Sequence, residues 1–242
     1  MSRKLINGRE RPRVVHAQAG PHELDQLDET RTGVFWLDLA TLDPVGARVK
    51  RILDVVVSIT LILVAAPFLL LIAVLIKASS RGPAIFRQER IGFRCNRFAM
   101  YKFRTMYAGA ERTEAELAEQ EGKAFLKIER DPRITPLGKF LRKYSLDELP
   151  QLFNVLEGTM SLVGPRPLLL SDLTRFPRRS QMRRFSMKPG LTGLWQVSGR
   201  SSCDDQQRME LDRRYVSEWS LWLDLSILIR TVRVVLSGED AF

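Results

Sequence analysis

Residues 55–76 read VVVSITLILVAAPFLLLIAVLI, 22 residues from Val55 to Ile76 without one charged side chain. At about 1.5 Å per residue, a straight helix of this length could cross a hydrocarbon core of about 30 Å. A fully buried soluble helix is the competing reading, but few chains of 242 residues bury such a stretch on all sides. Pro67 sits inside the run, removes a backbone donor and clashes with the preceding turn, so the sequence predicts a break. Neither piece, Val55–Ala66 or Phe68–Ile76, is long enough to span alone. Both flanks are basic: Arg48, Lys50 and Arg51 before, Lys77 and Arg81 after. Because basic flanks favour one side of a membrane, a re-entrant hairpin satisfies both at once. A tilted spanning helix with snorkelling lysines is the alternative.

Outward from this segment, charge points to an anionic partner. The chain carries 38 Lys and Arg against 28 Asp and Glu, a formal net charge of +10. From Lys77 to Arg104 there are eight positive residues and one negative, Glu89, a net of +7. Beside an apolar segment this favours anionic lipid or a phosphorylated ligand over nucleic acid, since each basic residue near an anionic leaflet contributes about 1 kcal/mol. Within it, Ile85 to Ile91 and Arg97 to Phe103 alternate as a hairpin around Gly92–Asn96. Residues 1–33 show neither apolar periodicity nor an apolar core behind Arg3 and Lys4, against a secretory signal and for a loosely ordered tail. Gly109 to Gly122 reads as an acidic, solvated helix, and Thr135-Pro136 as the capped start of a helix through Tyr144. Beyond Asp204 the chain reads as helical to about Leu236. There Trp219 and Trp222, three apart, share a face that suits either a bilayer interface or a core.

The chemistry must be run without imidazole. Both histidines, His16 and His22, lie near the N-terminus, which excludes Ser-His-Asp, Cys-His and His-metal sites in the main body. Cys95 and Cys203 show no metal or redox spacing. Ser145-Leu-Asp147-Glu148 fits a capping box, with two acids in the first turn of a helix. Arg142 and Lys143 just upstream add a second reading, a phosphate site in which Asp147 attacks phosphorus and Glu148 holds Mg²⁺. The two readings are compatible. Arg166, between Pro165 and Pro167, is either a surface turn or a displayed phosphate ligand. The glycine-punctuated run from Lys188 to Arg200 could wrap a nucleotide, but is neither a P-loop nor a dinucleotide fingerprint.

Taken in order, KRILD (50–54), RGPAIFRQERIG (81–92), YKFRTM (101–106), DPRITPLGKFLRKYSLDELPQLFNVLEG (131–158), SLVGPRP (161–167) and KPGLTGLWQVSGR (188–200) resemble the bacterial sugar transferases. These are monotopic phosphoglycosyltransferases acting on polyprenyl phosphate. The resemblance covers about four-fifths of the chain, from Lys50 on. It implies an α-rich α+β fold: a polar, partly disordered extension over 1–47, a re-entrant helix-break-helix membrane hairpin over 48–80, and a small cytosolic catalytic domain with interfacial amphipathic helices over 81–242. It implies attack by Asp147 on the phosphate next to the sugar of a UDP-sugar, release of UMP, and transfer of the sugar phosphate to polyprenyl (undecaprenyl) phosphate. Asp147 and Glu148 map onto the catalytic and magnesium-binding acids. Arg142, Arg166 and Lys102 map onto phosphate binding, and Lys188, Thr192, Gln196 and Arg200 onto the nucleotide-sugar side.

The implied setting is the cytoplasmic face of a bacterial inner membrane, in exopolysaccharide synthesis, with galactose or glucose phosphate transferred. Membrane lipid is the expected surface, no nucleic-acid partner is expected, and self-association is left open. The chain resembles the short form of the family, without the extra N-terminal membrane helices of larger members. It departs from relatives in carrying Ala66-Pro67 where Ser-Pro is common, which removes a hydroxyl able to cap freed carbonyls. Two other classes compete with this reading: a basic, membrane-bound interaction protein without catalysis, and a glycosyltransferase that releases UDP.

Overall fold

Asp43 opens the apolar helix in the computed structural model, which describes residues 43–110, 131–170, 183–199 and 205–237. Its carboxylate accepts the Gly46 N–H at 2.8 Å, with Pro44 in the first turn where no intrahelical donor is needed. The helix that follows, α1 (Pro44–Ser79), runs for 36 residues. Pro67 lies inside it without interrupting it, so the break predicted from the sequence is not an end of helical structure. Its start at Pro44 precedes the expected boundary at 48.

One stripe of α1 faces the protein. Lys50, Asp54 and Ser58 are buried at its N-terminal end, Ile72 and Ile76 at the other. Between and around them Leu61, Leu63, Val64, Phe68, Leu70, Leu71, Val74 and Leu75 are exposed, and only 11% of the most apolar 18-residue window is buried. Burying such a side chain gains about 1.5–3 kcal/mol. Eight of them in water therefore forgo on the order of 10–20 kcal/mol, comparable with a domain's whole stability.

The remaining elements form a mixed helix and strand body. β1 (Ile85–Ile91) pairs antiparallel with β2 (Arg97–Phe103), in the register Ile85 to Phe103 and Ile91 to Arg97 that the sequence alternation predicts. A turn of 3-10 helix, Phe93–Cys95, joins them, with Arg94 and Cys95 in left-handed backbone at φ 52° and 60°. α2 (Pro136–Lys143) begins as expected: Thr135 Oγ1 accepts the Gly138 N–H at 2.9 Å. α3 (Gln151–Glu157) follows a 3-10 turn at Leu146–Glu148 and ends at Gly158, whose φ of 85° suits a residue without Cβ. β3 (Ser161–Val163) and β4 (Gly190–Thr192) pair in parallel, and α4 (Asp205–Ser217) and α5 (Leu221–Ser237) close the described chain.

Met100, Leu152, Val155, Met160, Leu162, Met187, Tyr215 and Ile227 form the principal core, and Val57 and Ile62 of α1 pack on it. Ile72 and Ile76 of α1 join Phe103 and Leu141 in a second cluster. Polar ties reinforce both ends of α1. Near its start Lys50 donates to Val163 O (2.9 Å) and Asp224 (2.6 Å), Arg51 to Val155 O (2.6 Å), and Asp54 accepts from Leu162 N–H (3.0 Å). At its end Arg104 donates to Ser80 O at 2.7 Å.

Two expectations are corrected. Ser145 does not cap: it adopts left-handed backbone at φ 53° with no side-chain capping bond, because a tight turn, not a regular helix start, follows α2. Trp219 and Trp222 do not share a helical face, because the chain breaks between α4 and α5 and Ser220 caps the latter by accepting Leu223 N–H at 3.1 Å. The Trp219 indole turns inward to Asp224 at 3.2 Å, while Trp222 is 76% exposed. Most of the acidic stretch Gly109 to Gly122, the tail 1–33 and Arg200 lie outside the described residues.

Candidate functional site

Strand alternation on the hairpin places Met100 and Lys102 of β2 on one face with Arg90 of β1. Asn154 of α3 holds that strand in place: its amide donates to Ala99 O (2.8 Å), and its Oδ1 accepts Tyr101 N–H (2.9 Å). The same stitch sets the Leu146–Glu148 turn against β2. Lys102 Nζ then reaches Glu148 Oε1 at 2.8 Å, with both side chains about four-fifths buried.

α2 delivers Arg142. Gly138 lies so close to Thr105 that a Cβ would fall 2.0 Å from its carbonyl oxygen, and this contact brings Arg142 Nε to Thr105 Oγ1 at 2.9 Å. Asp147 is 8% exposed and feels the charge of both cations. Burial first, then the adjacent Glu148, pushes its carboxyl above the usual range, and Lys102 and Arg142 pull it back. Two neighbouring carboxylates need those counter-charges to stay ionised together.

Arg166 arrives on the Gly164–Pro167 turn, whose backbone is gripped on all sides. Gly164 N–H donates to Thr192 O (2.9 Å) and Gly190 N–H to Pro165 O (2.9 Å), while Arg90 donates to Pro167 O (3.4 Å). Arg184, in a buried pair with Asp212 at 2.5 Å, clasps Arg166 itself by donating to its carbonyl at 2.8 Å. So held, the Arg166 guanidinium stands 3.8 Å from Glu148 Oε1 and 5.6 Å over the Trp195 ring, on which Arg208 of α4 also stacks at 5.1 Å.

The result is a small cleft lined by Arg90, Met100, Lys102, Glu148, Gln151, Arg166, Pro167, Gly190 and Leu191. Three cations face one carboxylate there, a wall suited to phosphate oxygens. Asp147 is not part of the lining. Of the residues expected at the site, the fold gathers Lys102, Glu148 and Arg166, with Asp147 and Arg142 adjoining. It does not bring Lys188, Thr192 and Gln196 to this cleft: the Lys188 ammonium lies by Gly158, Thr192 Oγ1 pairs with Thr231 Oγ1 at 2.8 Å, and Gln196 donates to Leu191 O at 3.1 Å. Gly164 and Gly190 serve backbone contact, since a Cβ on Gly190 would fall 2.1 Å from Gly164 N.

Among the described residues no three His, Cys, Asp or Glu gather into a metal cage. Mg²⁺ does not need one: it keeps waters and takes one or two carboxylates plus substrate phosphate. The adjacent Asp147 and Glu148 beside this cationic wall fit that donor set. Sequence reasoning missed Arg90, Gln151, Asn154, Arg184, Arg208 and Asp212. For Asp212 the signal was available, because it falls beside Leu211 and Tyr215 on the apolar face of α4, where an acid needs a partner.

The profile of the bacterial sugar transferase family matches residues 45–238, and the chain belongs to that family. It is 43% identical over 199 residues to the undecaprenyl-phosphate galactose phosphotransferase of Salmonella typhimurium, covering 80% of this chain and 41% of that protein. To the UDP-glucose:undecaprenyl-phosphate glucose-1-phosphate transferase of Klebsiella pneumoniae it is 41% identical over 208 residues, 83% of this chain and 43% of that protein. The exopolysaccharide production protein ExoY of Rhizobium meliloti is 40% identical over 205 residues, 82% of this chain and 90% of that protein. The chain thus spans about two-fifths of the first two relatives and nearly all of the third.

Proposed function

We propose that this chain is an undecaprenyl-phosphate sugar-1-phosphate transferase, moving a sugar phosphate from a UDP-sugar to the lipid phosphate and releasing UMP. The observation that carries the reading is the convergence of Lys102 and Arg166 on Glu148, beside a buried Asp147. Phosphoryl transfer asks for charge neutralisation and alignment more than acid–base power, so a site without histidine suffices. An oxygen of the Asp147 carboxylate attacks the phosphorus next to the sugar, and the bond from that phosphorus to the UMP oxygen breaks. UMP leaves with the electron pair, and a sugar-phosphoryl aspartate remains. An oxygen of undecaprenyl phosphate then attacks the same phosphorus and restores Asp147. Arg166, Lys102 and Arg142 hold phosphate oxygens and offset the charge that accumulates on them. Glu148, with Asp147, would hold Mg²⁺, which when bound neutralises the diphosphate of the donor. The names of the Salmonella and Klebsiella relatives favour UDP-galactose or UDP-glucose as donor.

The membrane reading belongs with this function. The exposed apolar surface of α1 is supported by a second stripe on α5, where Trp222, Leu225, Ile229, Val232 and Leu236 are all exposed. Both ends of α1 are tied to one body, through Lys50 and Arg51 at one end and Arg104 at the other. A spanning helix would separate its ends by a bilayer and leave one of those ties inside lipid. We therefore read α1 as re-entrant, with the body on the cytoplasmic face and α5 at the interface. The proposal is tested by supplying solubilised protein with Mg²⁺, undecaprenyl phosphate and a panel of UDP-sugars. UMP from one donor is expected, lost on chelation of the metal; UDP would make the chain a glycosyltransferase instead.

A further inference from the structure

Gln151 is the residue of the cleft for which neither the fold nor the mechanism yet accounts. It opens α3, three residues after Glu148, so the two side chains lie on the same side of one continuous turn. The residue is 2% exposed and lines the cleft, yet its amide Nε2 is buried with no hydrogen-bond partner. Buried polar atoms in folded proteins are almost always paired, and a donor left unpaired carries its full desolvation penalty. An apolar side chain would avoid that penalty, as Leu152 does one residue later at 1% exposure. The surroundings define what the donor awaits. Arg90, Lys102 and Arg166 share the lining with it, so every charged group of the cleft except Glu148 attracts an anionic oxygen.

We infer that Gln151 is a substrate-binding residue whose amide donates a hydrogen bond to a phosphoryl oxygen of the donor's nucleoside diphosphate; the inference rests on the proposed function. The amide completes the wall formed by Lys102 and Arg166. Being neutral and held by burial, it fixes an oxygen's position without adding charge beside Asp147.

UDP carries both phosphates and no sugar, so it is the probe, titrated by calorimetry into the full chain in detergent with Mg²⁺. Gln151→Met keeps length and removes the donor. It is expected to weaken UDP binding about tenfold or more while the unfolding midpoint rises, since the unpaired buried donor is gone. Gln151→Glu is expected to bind more weakly still at pH 8 and to regain affinity towards pH 6, as the buried acid takes a proton and becomes a donor. A packing role alone would not produce that recovery, so it decides the matter if the Met variant proves unstable. Wild-type affinity in Gln151→Met overturns the inference, as does a folded Glu variant whose affinity ignores pH. Loss of turnover on UDP-sugar with UDP binding intact also overturns it, since the amide would then meet the sugar. If the wild type binds no UDP, the functional reading fails and this inference with it.

Discussion

Glu148 accepts from Lys102 at 2.8 Å and faces Arg166 at 3.8 Å, so its charge balances two cations of the cleft. Removing it leaves two partly buried cations without their carboxylate. Glu148→Gln is therefore expected to lower UMP release by at least 100-fold, about 2.7 kcal/mol of transition-state stabilisation, read as initial rates at saturating donor. Asp131 gives a pH-dependent prediction. Three hydrogen-bond donors of Arg133 hold its carboxylate, at 2.7–3.0 Å, and depress its pKa below 3.8. A depressed folded value means the pair stabilises the fold fully above 3.8, and that this contribution fades as pH falls through the lower folded value. The stability difference between wild type and Asp131→Asn, measured by denaturant titration, should be flat from neutral pH down to about 4 and shrink below it. A difference that grows on acidification would contradict the pairing.

Elements were legible in the sequence where local chemistry decides them. The β1–β2 hairpin followed from alternation, and α2 from Thr135 and Pro136, because each is set within a few residues. Ser145 misled because the capping pattern describes a helix start, while the turn it occupies is set by α2 before it and β2 beside it. The role of the glycines in 188–200 was equally hidden, since the partner strand of β4 lies about 30 residues earlier in β3. Gly190→Ala tests the β3–β4 pairing. Its new Cβ would meet Gly164 N at 2.1 Å, prising β4 from the turn that carries Arg166. We expect a loss of about 3 kcal/mol in stability and loss of UMP release, whereas an alanine variant with normal melting and turnover would show that the strands tolerate separation.

Across the whole molecule, Asp147, Glu148, Arg142, Arg166 and Lys102 were readable as a group only because several motifs recur in order. Their support, Asn154 on β2 and Arg184–Asp212 on Arg166, involves tertiary pairs as much as 55 residues apart that no local pattern marks. The same holds for the seat of α1, whose apolar run is local while its polar ties reach residues more than 100 positions away. With both native cysteines replaced by serine, Arg48→Cys and Ala78→Cys should react with a membrane-impermeant maleimide from the same side of sealed inverted vesicles. Labelling of the two from opposite sides would make α1 a spanning helix. If Asp147 carries the sugar phosphate, the first half-reaction runs and reverses without any lipid acceptor, and isotope exchange reads it. Labelled UMP incubated with UDP-sugar and the enzyme, without undecaprenyl phosphate, should enter the UDP-sugar pool, and Asp147→Asn should abolish the exchange. An enzyme active with lipid phosphate yet silent in exchange, or an asparagine variant that still turns over, would contradict it.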